Sequence, residues 1–156
     1  SALIVACERG GQWEAAQKVF IEAKQSLGQV DGITYIAIIR AYERGGQTAL
    51  AEEAFAEMQA VGLPPAREAY NAVLNALWAS GQLDRAVDTL SAAHADRVYP
   101  VATPDPKAVT SKRKARRNLL VQDLHDMSIG AALVQTVLWL DALGQSFAND
   151  PPSPYE

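Results

Sequence analysis

Apolar residues return along this chain at helical spacing, in short blocks punctuated by glycine or proline. Over residues 32–66, Tyr35, Ile38, Ile39 and Tyr42 share one face of a predicted helix. ERGG at 43–46 ends it, since glycine supplies the backbone freedom of a turn. Ala51, Ala54, Phe55 and Met58 mark the face of a second helix, which GLPP at 62–65 stops because proline cannot continue a helix. Over residues 67–101 the same order returns. Tyr70, Val73, Leu74 and Leu77 form a face, SGQ makes the turn, and Leu83, Ala86, Val87 and Leu90 form the next face.

The recurrence has a fixed period of 35. It relates Gly11, Gly46 and Gly81, then Ala16, Ala51 and Ala86, then Phe20, Phe55 and Leu90, while Pro65 and Pro100 close the second and third copies. A single helical hairpin cannot bury both its faces, but stacked hairpins can. The pattern therefore predicts a mainly α protein, a right-handed α-solenoid of helix-turn-helix repeats whose concave surface is lined by the first helix of each unit. The small residues at 16, 51 and 86 fall where two helices must approach closely. The units span 1–31 (partial), 32–66 and 67–101. Because SALIVACERGG opens inside a helical pattern, the chain is expected to be a piece of something longer.

The W-x2-L-G-x2-Y pattern of tetratricopeptide repeats is absent. The stretch from Thr34 to Pro65, with TY, IIRAYERGG, a small residue at 51, Phe55, Met58, Gly62 and Pro65, resembles the pentatricopeptide repeat family, and YNAVLNALWASGQLDRAV echoes it. The resemblance covers residues 1–101. It implies a modular reader of single-stranded RNA, one base per repeat. In the family the fifth and last residues of a unit face the base. Carried over, the base-facing pairs are Ser1 with Asp31, Ile36 with Ala66, and Asn71 with Val101. Ser1 and Asp31 resemble a purine pattern. Ile36 and Ala66 offer no hydrogen bond, and Asn71 can donate and accept whereas Val101 cannot. The resemblance also implies phosphate contacts at Arg9 and Arg44, where the alternative is a solvated helix end.

Charge divides the chain. Residues 1–101 carry net −4, residues 102–122 net +5 and residues 123–156 net −5. TPDPKAVTSKRKARRNLL, residues 103–120, opens with two prolines and turns basic, and 102–118 reads as a basic linker. Lys112, Arg113, Lys114, Arg116 and Arg117 form either a solvated segment or a phosphate clamp for RNA or an acidic partner. Beyond it, the apolar run Leu119–Leu124 suggests a short strand. Ser128 is placed to cap a helix whose face is marked by Ala132, Leu133, Thr136, Leu140 and Leu143, with Trp139 beside it. Gln-Asp-Leu-His at 122–125 and the following S-x-G-A-A-L resemble the opening of a small MutS-related (SMR) domain, so 119–156 is read as an incomplete α/β SMR-like segment. That resemblance implies acid–base or phosphate roles for Asp123 and His125, which two-residue spacing on a strand would turn to one face. The second SMR motif, a glycine loop, is absent from these residues, so the expectation is that the chain is not an enzyme.

Apolar content of 49% and charged content of 21% fit a globular domain, and no apolar run reaches the roughly 18 residues of a membrane span, so membrane insertion is not expected. Cys7 is the single cysteine, which excludes an internal disulfide or a cysteine-cluster metal site. Cys7, Trp13 and Trp78 read as packing residues and His94 as exposed helix surface. No metal or cofactor is expected. The expected partner is single-stranded RNA or a ribonucleoprotein, in RNA processing, stability or translation. The alternative is a scaffold subunit among the proteins of a large organellar complex, such as a ribosome or the plastid transcription machinery; an SMR-type endonuclease is a third reading. The resemblance implies an organelle, the chloroplast ahead of the mitochondrion.

Overall fold

The computed structural model of the protein describes residues 2–99 and 127–149. These form helices α1 (Ala2–Arg9), α2 (Trp13–Leu27), α3 (Gly32–Arg44), α4 (Thr48–Ala60), α5 (Arg67–Ala79), α6 (Leu83–Ala95) and α7 (Ile129–Asn149). The helices pair as α1–α2, α3–α4 and α5–α6, and each pair stacks on the next. The stacked hairpins are the helical-repeat solenoid expected from the period of 35.

The period is written into the backbone. At the turn within each unit, Gly11, Gly46 and Gly81 take φ of 67°, 67° and 72°, a region that a Cβ disfavours. The next amide closes the end of the first helix: Gln12 N–H donates to Cys7 O at 3.0 Å, Gln47 to Tyr42 at 2.8 Å and Gln82 to Leu77 at 2.9 Å. Each of these glutamines then opens the second helix. Its carbonyl accepts from the amide of Ala16, Ala51 or Ala86 at 3.0, 3.0 and 3.1 Å. One short sequence thus satisfies the terminal polar groups of two helices, three times over.

Packing follows the same period. Ala16, Ala51 and Ala86 are wholly buried, as close approach requires. Successive units are joined by edge-to-face aromatic pairs, Phe20 on Tyr35 at 5.3 Å and Phe55 on Tyr70 at 4.9 Å between centroids. An ion pair of Lys24 with Glu57 flanks the first of these, and a hydrogen bond from the Tyr70 hydroxyl to Asp96 flanks the second. Trp13 lies half-buried against Tyr42 and closely over Gly45. Trp78, expected as a packing residue, is instead 37% exposed. His94 departs the other way. It is half-buried, and Gln135 of α7 faces it.

Helix α7 extends the stack. It packs against α5 and α6 just as α5 packs against α3 and α4, and α3 against α1 and α2. It begins 62 residues after α5 rather than 35. Ser128 caps it as expected, its hydroxyl accepting from Ala131 N–H at 3.2 Å. The buried face differs from the expected one. Ala131, Val134 and Gln135 are buried with Leu138 packed behind them, while Leu133 and Leu140 face outward. The reason is steric: α5 approaches so closely at Gly130 that small side chains, and not the leucines, fit against it. The side chain of Leu143 lies outside the described residues, as do Ser1, Val101, the basic linker 102–118, the run Leu119–Leu124, and Asp123 and His125.

Candidate nucleic-acid interface

The first helices α1, α3, α5 and α7 lie side by side, and their equivalent positions form rows across the stack. One row is Glu8, Glu43, Trp78 and Leu140. Another, three residues earlier in each helix, is Val5, Arg40, Asn75 and Val137. The late-row residue of one helix meets the early-row residue of the next. Glu8 takes Arg40 at 3.4 Å, and Glu43 accepts from Asn75 Nδ2 at 3.3 Å. Between α5 and α7 the same two places hold Trp78 and Val137. The face therefore grades from an ion pair, through a neutral–charged hydrogen bond, to apolar side chains.

Glu8 is 4% exposed, and its Oε1 lies 3.4 Å from Arg40 Nη2 and 3.2 Å from Arg44 Nη2. Arg44 Nη1 also donates to the Glu8 carbonyl at 3.2 Å. No well-directed hydrogen bond reaches Oε1, so the contact is held by charge. Two guanidinium groups share one nearly buried carboxylate at the mouth of a groove. That groove, of about 380 Å³, runs between α3 and α5 past Arg40, Glu43, Arg44, Glu68, Asn71 and Asn75. α3 supplies Arg40, Glu43 and Arg44 to it, and α5 supplies Glu68, Asn71 and Asn75.

The positions singled out from the sequence divide as follows. Asp31 is the N-cap of α3, and its Oδ1 accepts from Thr34 N–H at 2.8 Å and from the Thr34 hydroxyl. Those two bonds hold its carboxyl below the usual carboxylate pKa. Ala66 occupies the equivalent N-cap place of α5 with no side-chain bond. Ile36 is half-buried, close to Val5, Ile33 and Arg40. Arg44 sits at the groove, engaged with Glu8, while Arg9 stands exposed at the end of α1. Asn71 lies on the groove wall, and its Oδ1 accepts from Ser128 N–H at 2.9 Å and from the Tyr99 hydroxyl at 2.6 Å. Tyr99 is buried, which pushes its phenol pKa up. Ser1, Val101, Lys112, Arg113, Lys114, Arg116, Arg117, Asp123 and His125 fall outside the described residues.

Several residues that build this face went unnoticed in the sequence: Glu8, Arg40, Asn75, Tyr99 and Gly130. The 35-residue spacing of Glu8 from Glu43, and of Arg40 from Asn75, was the available signal. Among the described residues no cluster of His, Cys, Asp or Glu is placed to hold a metal ion, and no helix is long and apolar enough to cross a membrane.

Two family models match the chain. One, the pentatricopeptide repeat domain, matches residues 18–78; the other, the PPR repeat, matches residues 1–26 and 68–92. The matches run together over α1–α6 and stop before α7. No curated protein matches the chain.

Proposed function

Because this chain belongs to the pentatricopeptide repeat family, we propose that it is an RNA-binding helical-repeat protein that lays a single strand along the groove between its first helices. Proteins of this family are typically non-enzymatic RNA binders. The observation that carries the reading is the groove beside α3, where Arg40 and Arg44 stand together. Guanidinium groups neutralise phosphate, so the groove supplies the backbone half of single-strand recognition. Lys112, Arg113, Lys114, Arg116 and Arg117 supply long-range attraction that the net −4 of residues 1–101 lacks. The transcripts are those of an organelle, the chloroplast ahead of the mitochondrion, and the role is their processing, stability or translation. The SMR-like resemblance of 119–156, with Asp123 and His125, adds no catalytic step to this reading.

A second reading, a scaffold subunit of a large organellar complex, is favoured by one specific observation. Ile129, Leu133, Val137 and Leu140 make an exposed apolar stripe on α7, where Leu133 and Val137 stand at the places of Asn71 and Asn75 in α5. A surface of that kind suits protein contact better than a phosphate backbone.

The test is binding of fluorescent single-stranded 12-mers by the whole chain at two salt concentrations, beside an Arg40→Ala/Arg44→Ala variant. The reading expects salt-sensitive binding that falls at least tenfold in the variant. Binding that the double variant leaves unchanged refutes the groove as the RNA site. No binding at low salt by the native chain leaves the scaffold reading standing.

A further inference from the structure

We infer that α7 occupies the third unit's base-reading position from within, so that Asn71 is closed to RNA while α7 is docked. The inference rests on the RNA-binding reading of the groove and deepens it. A side-chain amide oxygen has two lone pairs. In Asn71 both are used, one by the backbone N–H of Ser128 at 2.9 Å and one by the hydroxyl of Tyr99 at 2.6 Å. The Ser128 hydroxyl donates to the Asn71 carbonyl at 3.3 Å, which fixes the start of α7 on this residue. One turn further on, Gly130 N–H donates to Asn75 Oδ1 at 2.9 Å. The two amides of α5 that would meet a base are thus spent on the backbone of α7, whose N–H groups do what the N–H edge of a base would do.

The contact is too close to admit anything else. A Cβ on Gly130 would lie 2.7 Å from Asn75 Oδ1, 2.8 Å from Asn75 Cα and 3.0 Å from Leu74 O. A base inserted between these helices needs a gap of two van der Waals radii on each face, and the backbones leave none. Reading along the native chain therefore ends at α3, whose side of the groove carries Arg40 and Arg44.

Two substitutions separate this from a merely structural contact. Asn71→Asp keeps both acceptor bonds to Ser128 and Tyr99, so α7 stays docked while the hydrogen-bonding edge offered to a base changes. Gly130→Leu forces α7 away, because the Cβ would meet the backbone of α5 at Asn75 and Leu74, and leaves α1–α6 intact. Hydrogen exchange reports both states: α7 amides should exchange at least tenfold faster in Gly130→Leu, with α3 and α4 unchanged. Binding is then measured for oligo-A, oligo-C, oligo-G and oligo-U 12-mers.

The expected result is that Asn71→Asp alone alters the preference among the four by less than twofold, whereas in the Gly130→Leu background it alters it more than fivefold. RNA binding that appears only in Gly130→Leu supports the inference equally. A shift of preference by Asn71→Asp with α7 docked overturns the inference and leaves the RNA reading intact. Absence of binding by every variant, with α7 shown to be released, overturns the RNA reading and the inference with it.

Discussion

Gly45 offers a sharp test of how the units pack. It takes φ of −79° and ψ of 0°, a right-handed conformation that any residue adopts, so backbone freedom does not require glycine there. What requires it is Trp13. A Cβ on Gly45 would lie 2.4 Å from Trp13 Cδ1, 2.6 Å from Cγ and 3.1 Å from its Cβ. The indole is half-buried against Tyr42, so it cannot swing aside without losing that contact. Overpacking of this kind costs about 1–3 kcal/mol, and alanine returns roughly 0.5–1 kcal/mol by restricting the unfolded chain. Gly45→Ala should then destabilise by about 1–2 kcal/mol, which for an m-value near 2 kcal/mol/M lowers the urea midpoint by roughly 0.5–1 M. The repeat supplies the controls. At the equivalent place in the third unit stands Ser80, which already bears a Cβ, and there the residue equivalent to Trp13 is Thr48, whose hydroxyl donates to Ala76 O at 3.2 Å. In the first unit a Cβ on Gly10 would meet Ala6 O at 3.4 Å and Cys7 O at 3.6 Å, which is ordinary contact. Gly10→Ala should therefore be neutral or slightly stabilising. In a Trp13→Ala background, Gly45→Ala should change sign and stabilise. Urea unfolding of the four proteins of this cycle, followed by helical circular dichroism, measures the coupling. Equal effects of Gly45→Ala in both backgrounds refute the steric account.

Other outcomes follow from the same geometry. Arg97 has φ of 57° where the preceding unit has Gly62 at 80°, so Arg97→Gly should raise stability by about 1 kcal/mol, read as a higher thermal midpoint. Ala51 is fully buried between helices, and Ala51→Leu should cost about 1–3 kcal/mol in urea unfolding. Burial raises the phenol pKa of Tyr35, Tyr42, Tyr70 and Tyr99 in the folded chain. Above pH 10 the unfolded phenols ionise first, so stability present at neutral pH should fall as pH rises, and Tyr70→Phe should flatten that fall in an alkaline unfolding series. Burial lowers the pKa of His94 from 6.5, so its contribution holds above that value and is lost as pH falls; hydrogen exchange of α7 should accelerate in acid, and less so in His94→Gln.

The repeat was legible because its markers are chemically singular. Gly11, Gly46 and Gly81 need left-handed φ, and Ala16, Ala51 and Ala86 need small size, so substitution at either leaves a visible gap in the pattern. The docking of α7 was not legible, for two reasons. The spacing of 35 is broken between α5 and α7, so the periodicity carries no signal across the break. The residues that dock it, Gly130, Ala131 and Val134, are also less apolar in bulk than Leu133 and Leu140, which drew attention to the opposite face. Asn71 shows the limit of residue type as a guide. Its capacity to face a base is plain in the sequence, whereas the use of both its lone pairs depends on Tyr99 and Ser128, which only the fold brings to it. Glu8 reads as one more acidic helix residue, and its burial under two arginines is a property of the stack.

Tyr99 and Ser128 are 29 positions apart in the chain, yet both bond to one oxygen of Asn71. One side-chain oxygen of α5 therefore ties the end of the third unit to the start of α7. It is between those two tied positions that the sequence concentrates its Lys and Arg. A partner that those cations hold is thereby tethered to the groove wall from both sides.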